Sequence, residues 1–547
     1  MIVDHPPLRQ IWSRLDTLLI VLLLSVASLL FGVAIDAGEF WWTDESRHAM
    51  DGVFIMDVLK ELPFNHLYDY AVQYFVRYPA LGFTWYPPFF AFIESFFFYI
   101  FGVSEPIARL TVLFFCLCGL TAWYVWSMPI WGSLTSFFSG VFFVTNPLVL
   151  LWGRSVMLEI PAIAMVMLAL LSFHYYLRSP THIRSLLTGT VIAAALLTKQ
   201  ITVFILPLMI VYAYLAGEGR HLWSRKSLLA YFMTGLALVL LILHANKFGT
   251  TALGGFSQNI ENIFSVKMIG FLTLNAKVIW EAYPFPLLML AGIGLISGFY
   301  LNQVRRNLFC IAWLIIWYVF FTLFDHQFNN LLRYTLYLTP ALGILTANTL
   351  ALLPAPSVYH KIGLTIATLL FAGYGYSGLR TEHQMLSGYK EAARFILENN
   401  NEGTVLFCCK NDGNFTFHIK QGDSERKQII LRADKILVSY VVHKSFGVKV
   451  YVESASDIYS LLDKYGVGLI VAEDNDLVGL PEFKLLLDTL KSDKFDKLSS
   501  IELVSNVPDF KGESLNIYRY KERKKLKDGE IVIPMPHIKR ELRFRIE

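Results

Sequence analysis

The chain has 547 residues, of which 55% are hydrophobic and only 16% charged, and its mean hydropathy is +0.48. Soluble domains carry about 25% charged residues, so this composition excludes an ordinary soluble protein and indicates a membrane protein. The formal net charge of +4 is too small to predict a nucleic-acid partner. The five cysteines show neither a metal-binding spacing nor a disulfide framework.

The first apolar segment, residues 17–37, follows Arg9 and Arg14. A signal peptide would have a shorter apolar core and a cleavage site of small residues, so we predict an uncleaved membrane helix. Basic residues before a span favour the cytoplasmic side. The N-terminus is therefore predicted to be cytoplasmic.

Ten further apolar segments reach or approach the roughly 20 residues that cross a bilayer. They are 107–127, 131–150, 159–178, 185–198, 200–216, 227–246, 284–301, 307–324, 332–353 and 359–378. The shorter run 89–101 follows two prolines and is predicted to lie along the outer surface. With this assignment the basic loops fall on the cytoplasmic side, and the odd number of spans places the C-terminal part outside.

The composition changes near residue 380, where Lys, Glu and Asp become frequent. We therefore predict a membrane-embedded domain over 1–380 and a soluble extracytoplasmic α/β domain with a basic tail over 381–547. Helix-like and strand-like segments alternate there, namely 389–399, 404–409, 428–437, 448–453, 456–464 and 468–472. The basic tail, 521–545, is either solvated or in contact with anionic lipid headgroups.

Polar residues collect at the predicted outer ends of the spans. The stretch Trp41-Trp42-Thr43-Asp44-Glu45 follows the first span and opens a predicted helix. Four side chains at helical spacing share one face of it: Asp44, Arg47, His48 and Asp51. Capping of the first helical turn is the alternative interpretation.

Other ionisable residues lie at the same predicted level. Lys199 interrupts a long apolar run, which indicates function, with snorkelling to the interface as the alternative. Glu159 begins a span shortly after Arg154, and capping again competes. Two pairs flank the outer start of another span, Asp325-His326 and Arg333-Tyr334. Carboxylates and cations beside apolar helices predict a site for a lipid with an anionic headgroup.

In chain order these residues resemble the membrane-embedded glycosyltransferases of the GT-C fold. The nearest branch contains the lipid A aminoarabinose transferases and the dolichyl-phosphate-mannose protein mannosyltransferases. The resemblance covers residues 10–380 and rests on these motifs: Asp44-Glu45-x-Arg47, Tyr86-Pro87-Pro88, Phe101-Gly102-Val103-Ser104-Glu105-x-x-Ala108-Arg109, Thr145-Asn146-Pro147, Arg154 to Glu159, Leu197-Thr198-Lys199 and Arg333-Tyr334 to Pro340.

The resemblance implies a polytopic α-helical protein of the plasma (inner) membrane, with about 11 to 13 transmembrane helices and a C-terminal extracytoplasmic α/β domain. It also implies inverting transfer of a sugar from a polyprenyl-phosphate donor to a lipid, glycan or protein acceptor on the extracytoplasmic face. Asp44 would be the catalytic carboxylate, supported by Glu45 and Glu159. Three cations would bind the donor phosphate: Arg47, Lys199 and Arg333. Four further residues would bind substrate: His48, Tyr86, Arg154 and Tyr334.

The chain departs from the family pattern at three places. Trp85-Tyr86 replaces the acidic–basic pair of the aminoarabinose transferases, which puts that donor and lipid A as acceptor in doubt. Glu159 stands where an aspartate is usual. The second outer loop has no Asp-x-Asp motif, so a divalent metal is not supported by a motif and the cofactor stays unknown.

Three other functions remain open at this point. A transporter or flippase for a polyprenyl-linked lipid would be expected to have two inverted halves, and the sequence shows no such repeat. A ligase or polymerase of surface glycans would use an oligosaccharide donor. A receptor would not need ionisable residues beside the spans.

Overall fold

The computed structural model describes most of the chain. The described residues are 12–248, 266–283, 285–300, 304–324, 331–349, 380–400, 404–440, 448–474, 479–524, 529–535 and 540–545, with scattered positions between 358 and 378. Asp325-His326 and most of the predicted span 359–378 lie outside them.

The first 349 residues, where described, form α-helices and short 3-10 turns. In chain order the α-helices are α1 (Arg14–Gly32), α2 (Thr43–Glu61), α3 (Leu67–Arg77), α4 (Phe89–Phe101), α5 (Glu105–Trp131), α6 (Ser133–Thr145), α7 (Pro147–Gly153), α8 (Glu159–Arg178), α9 (His182–Thr198), α10 (Ile205–Leu215), α11 (Leu228–Phe248), α12 (Val266–Ala282), α13 (Phe285–Tyr300), α14 (Val304–Phe324), α15 (Leu331–Tyr334) and α16 (Thr339–Ala347).

Five stretches of helix among the described residues are long and apolar enough to cross a membrane. They are Arg14–Gly32, Glu105–Trp131, Glu159–Arg178, Arg225–Phe248 and Val304–Leu323. Two bent helix pairs raise the number to seven if each pair is one span, and three shorter apolar helices accompany them: Phe89–Phe101, His182–Thr198 and Gln200–Leu215. The chain is thus a multi-pass membrane protein.

The structure divides some of the apolar runs that the sequence presents as continuous. The run 131–150 bends by 63° between α6 and α7, at Asn146-Pro147. Proline has no backbone N–H and cannot continue a helix, and the Asn146 side chain caps α7 by accepting from the N–H groups of Leu148 and Val149 at 2.9 and 3.3 Å. The run 332–353 is likewise divided between α15, a 3-10 turn and α16, and α12 has no counterpart among the predicted spans.

Beyond residue 380 the chain adds a layered α/β part. Its strands are β1 (Leu386–Ser387), β2 (Thr404–Cys408), β3 (Ile429–Arg432), β4 (Val438–Tyr440), β5 (Val448–Val450), β6 (Val467–Glu473), β7 (Phe495–Glu502), β8 (Val504–Ser505), β9 (Ser514–Tyr520), β10 (Glu530–Met535) and β11 (Arg540–Arg545). Its α-helices are α17 (Tyr389–Asn399), α18 (Asp412–Gly422), α19 (Ala433–Ile436), α20 (Ala455–Lys464) and α21 (Pro481–Thr489).

The main sheet has five strands in the order β3-β2-β6-β9-β7. Strand β2 pairs in parallel with β3 and β6, whereas β9 pairs antiparallel with β6 and β7. The predicted strand 428–437 is half right, because it ends at Arg432 and continues as the short helix α19. The boundary at residue 380 stays a prediction.

The C-terminal part packs directly on the polar segment that follows α1. The Glu39 carboxylate accepts the backbone N–H groups of Gly388, Tyr389 and Lys390 at 3.0, 3.0 and 3.1 Å. These N–H groups open α17, where the helix dipole favours a negative charge. Glu39 therefore fixes α17 against the membrane-embedded helices.

Helices α5 and α8 approach each other closely at Gly119. A Cβ atom at this glycine would lie 2.7 Å from the Cα atom of Ala164. Small residues let the backbones of membrane helices come this close. The contact holds α8, which carries Glu159 at its first position, against the long helix α5.

Replacing Gly119 by valine should therefore destabilise the protein by about 1–3 kcal/mol, the usual range for overpacking a tight contact. The measurement is the melting temperature of the purified protein in detergent, with Gly235→Val as the matched control. A Cβ atom at Gly235, within α11, meets no atom within 4 Å. Equal melting temperatures for the two variants would contradict the packing role of Gly119.

Candidate active site

Glu45 ties the start of α2 to the loop before α8. Its carboxylate accepts the backbone N–H groups of Trp41, Trp42 and Val156 at 3.2, 3.0 and 2.8 Å, and its side chain is fully buried. Both oxygens are thus used by backbone donors. This geometry gives Glu45 a capping role at the start of α2, and its predicted catalytic role stays a prediction.

Asp44, one residue earlier, is the accessible carboxylate. Its side chain is 24% exposed, and its Oδ2 atom accepts a hydrogen bond from the Tyr86 hydroxyl at 3.1 Å. The same oxygen lies 3.9 Å from Nη1 of Arg333. Asp44 is therefore in place to receive a proton while a cation stands beside it.

Glu159 and Lys199 form a buried ion pair between α8 and the end of α9. Lys199 Nζ lies 2.6 Å from Oε1 of Glu159, and their side chains are 7% and 0% exposed. Lys199 reaches this position because its backbone is extended between α9 and a 3-10 turn. Such pairs are stable only with close geometry. Lys199 can therefore interrupt the apolar run because Glu159 neutralises its charge.

Arg333 joins the two carboxylates. Its Nε atom lies 3.5 Å from Oε1 of Glu159, while its Nη1 faces Asp44. The guanidinium also donates to the Tyr334 hydroxyl at 3.1 Å. The Tyr334 ring has Lys199 Nζ at 5.3 Å and Arg333 Cζ at 5.0 Å from its centroid, distances typical of cation–π contacts.

His48 lies behind this group on α2. Its ring is 2% exposed and stands edge-on to Tyr86, with 4.6 Å between ring centroids. Burial lowers the pKa of His48 to about 4, more than the neighbouring Asp44 carboxylate raises it. The imidazole is consequently neutral at neutral pH and adds no charge to the site.

Two residues of the predicted site have other partners. Arg47 lies roughly 60° around the helix from Asp44, and its guanidinium pairs with Asp412 of α18 at 3.0 Å instead. Arg154 is buried and donates to the backbone carbonyls of Leu30, Gly378 and Thr381. Arg154 therefore fastens two chain segments together instead of facing the carboxylates.

Asp412 was not among the residues predicted from the sequence. It lies 365 positions from Arg47, in a part of the chain that carries no recognisable site motif. The uneven charge of α2, with Arg47 among acidic residues, was the only available sign of a partner. No group of three or more His, Cys, Asp or Glu side chains that could hold a metal ion occurs in the part of the chain that the structure describes.

Comparison with known proteins shows which fold this chain has. Residues 86–245 match the family model of the dolichyl-phosphate-mannose-protein mannosyltransferases. The fold is similar to ArnT from Cupriavidus metallidurans in its apo state, with a TM-score of 0.59 and 16% identity over 92% of this chain and 98% of that one. The chain has the GT-C fold.

Two further structures share the GT-C fold. ArnT bound to undecaprenyl phosphate gives a TM-score of 0.55 at 16% identity, over 90% of this chain and 98% of that one. The archaeal oligosaccharyltransferase AglB from Archaeoglobus fulgidus, in complex with an inhibitory peptide and a dolichol-phosphate, gives 0.52 at 12% identity, over 84% and 69%. No curated protein sequence matches significantly. The GT-C fold predicted from the ordered motifs is thereby confirmed.

The buried neutral His48 predicts a pH effect on the stability of this GT-C protein. Its pKa falls from 6.5 to about 4 on folding, so between these values the unfolded chain binds more protons than the folded one. Stability contributed by this group is complete above pH 6.5 and decreases as the pH falls towards 4. His48→Asn should reduce the decrease in melting temperature between pH 7 and pH 5. An identical decrease in both proteins would contradict a buried neutral imidazole.

Proposed function

We propose that this protein is a glycosyltransferase that moves a monosaccharide from a polyprenyl-phosphate donor to an acceptor at the extracytoplasmic membrane surface, with inversion. Asp44 is the catalytic carboxylate. The observation that carries the proposal is an accessible carboxylate, 24% exposed, 3.9 Å from a guanidinium that also faces the buried pair Glu159–Lys199.

The comparisons support the class of donor. The matching family model covers mannosyltransferases that use dolichyl-phosphate-mannose, and the two similar structures with a bound lipid hold undecaprenyl phosphate or dolichol-phosphate. These lipids share a single phosphate on a polyprenyl chain. A donor of this kind would keep its chain in the bilayer and bring its phosphate to the outer ends of the helices.

Exposure separates the two carboxylates of the site. Glu159 is fully buried, and one of its oxygens already lies near both Lys199 and Arg333. A carboxylate held by two cations is a weak base. Asp44 is partly open, and among the described residues its carboxylate accepts the Tyr86 hydroxyl and faces Arg333 at 3.9 Å. We therefore assign the proton transfer to Asp44 and the orientation of the cations to Glu159.

Lys199 and Arg333 are the proposed partners of the donor phosphate. Lysine has three donor hydrogens and arginine five, and among the described residues the hydrogen bonds to Glu159 and Tyr334 use one of each. Donors thus remain for phosphate oxygens. Charge-assisted hydrogen bonds of this type are the strong ones, and they would stabilise the negative charge that collects on the leaving phosphate.

The proposed reaction is a single displacement at the anomeric carbon. Asp44 accepts the proton of the acceptor hydroxyl or amide as the acceptor atom bonds to the anomeric carbon. The bond from that carbon to the phosphate oxygen breaks, and the electron pair leaves with the polyprenyl phosphate. Attack opposite to the leaving group inverts the anomeric configuration.

The acceptor is a lipid, a glycan or a protein, and the N-terminus lies in the cytoplasm. This orientation is supported by the basic loops between the spans, and it places the α/β part outside.

Reconstituted protein should be offered undecaprenyl phosphate carrying radiolabelled mannose, glucose, galactose or aminoarabinose. Loss of label from one of these lipids supports transfer. Movement of the intact lipid between leaflets without label loss would support the flippase instead.

Replacing Asp44 by Asn should lower the turnover number by about 100- to 10,000-fold, the usual contribution of a general base. Folding should be preserved, since Asn can still accept the Tyr86 hydroxyl. Turnover of the accepted donor is the measurement, and Asp69→Asn, an exposed carboxylate of α3, is the matched control. Near-normal turnover in D44N would remove Asp44 from the reaction.

Replacing Lys199 by Met should weaken binding of the donor phosphate by about tenfold or more, because a hydrogen bond to a charged group contributes about 1.5–3 kcal/mol. Titration with undecaprenyl phosphate, followed by tryptophan fluorescence, measures the Kd. Lys60→Met removes an exposed lysine of α2 and should leave the Kd unchanged. A Kd in K199M equal to that of the unmodified protein would exclude Lys199 as a phosphate ligand.

A further inference from the structure

Helix α2 lies between the proposed site and the α/β part of the chain. Asp44 and His48 are on the side that faces Tyr86. Arg47 and Asp57 are on the side that faces α18 and the loop after it. The helix that carries the proposed base is therefore held by residues that lie far along the sequence.

The contact at the far end of α2 is centred on Asp57. Its Oδ2 atom lies 3.1 Å from Lys420 Nζ and 3.1 Å from Arg426 Nη2, and it accepts the Tyr74 hydroxyl at 3.1 Å. These partners are buried or half-buried. They fix α2 without involving the turn that carries Asp44.

The contact at the near end is centred on Asp412, the first residue of α18. Its carboxylate lies 3.0 Å from Arg47 Nη2 and 2.8 Å from Arg432 Nη1. The side chains of Arg47 and Asp412 are only 19% and 10% exposed. Arg47 also donates to the Thr43 carbonyl at 2.7 Å. The guanidinium is thus fixed at both ends, pointing towards α18.

Two further carboxylates lie near Arg47 along its own helix. Asp51, four positions later, is buried and accepts the Gly82 N–H at 2.8 Å, whereas Asp44 is partly exposed. Asp44 precedes it by three positions, a spacing at which opposite charges on a helix pair. An arginine released from Asp412 could turn to Asp44. A neighbouring cation within about 4–6 Å favours the charged form of a carboxylate, and it would also compete with the acceptor for the oxygen that takes the proton.

We propose that Asp412 is a positioning residue for the transfer reaction, because it holds Arg47 away from Asp44 and so keeps this carboxylate available. The inference rests on the proposed function of Asp44. It assigns a role to the C-terminal part of the chain, which contacts the first turns of α2 through the pair of Asp412 and Arg47.

The first test compares four variants by turnover of the polyprenyl-phosphate sugar that the unmodified protein uses. D412N should lower kcat by about tenfold or more, as expected when a carboxylate gains a cationic neighbour. Its KM for the donor should stay the same, because Lys199 and Arg333 are untouched. In R47Q/D412N the competing cation is absent, and kcat should return towards that of the unmodified protein.

The matched control is D434N. Asp434 is the other carboxylate on Arg432, with Oδ2 2.7 Å from Nη2, but it does not contact α2 in the structure described. The same chemical change therefore loosens Arg432 without releasing Arg47, and kcat should stay close to the unmodified value. If D434N lowers kcat as much as D412N, a general loosening explains both and the proposal is wrong.

R47Q alone distinguishes the remaining possibilities. It removes the tether and the competing charge together, so it should lose less kcat than D412N. A raised donor KM in R47Q would make Arg47 a phosphate ligand and overturn the proposal. A double variant as slow as D412N would also overturn it. If D412N cannot be recovered folded, R47Q alone decides. A loss of kcat of about tenfold or more in R47Q would overturn the proposal.

A second test does not depend on turnover. Melting temperatures are measured for D44N, R47Q and D44N/R47Q, each with Asp412 retained and each combined with D412N. A double-mutant cycle reports the interaction between positions 44 and 47. The interaction should be near zero with Asp412 retained and stabilising in the D412N background. No interaction in either background would overturn the positioning role even if Asp44 proves to be catalytic.

Discussion

The buried ion pair between Glu159 and Lys199 is the interaction on which the rest of the proposed site depends. Two charged side chains are held 2.6 Å apart at the ends of apolar helices, where an unpaired charge would be strongly unfavourable. The pair fixes where α8 begins relative to the end of α9. It also places a negative charge where Arg333 can approach, and Arg333 in turn lies next to Asp44.

Because of this ion pair, the two carboxylates of the proposed site lie at different depths. Oε1 of the innermost carboxylate, Glu159, lies near two cations, whereas the outer carboxylate, Asp44, is partly open. The two carboxylates have different environments although they share the same arginine. Different environments are what allow two similar groups to take different roles at one pH, and exposure here favours Asp44 for proton transfer.

The α/β part adds a second level of constraint from outside the membrane-embedded helices. Glu39 anchors it through the N-terminus of α17, and α2 is contacted near both ends by residues of α18 and the loop that follows it. Helix α2 is too polar to be held by lipid. It packs on α4 along its length, and the contacts with the α/β part add charged partners near both of its ends.

The sequence by itself determined the class of the protein, the start of α2, the ordered motifs that identify the GT-C fold, and most members of the charged cluster. Composition and apolar length carry this information because the bilayer demands about 20 apolar residues per span and makes any charge within them conspicuous. For this reason the interruption of an apolar run at Lys199 indicated a functional residue. Asp44 could be identified because it lies in the first polar stretch after the first span.

Only the tertiary structure decided which of these residues meet. Glu45 and Arg154 are as polar in sequence as Asp44 and Lys199, yet backbone groups take up their hydrogen-bonding capacity. Arg47 shares a helix with Asp44 but pairs with Asp412, 365 positions away. Helical periodicity specifies neighbours within one element. Partners in other elements follow from how the elements pack, and no local pattern encodes that distance.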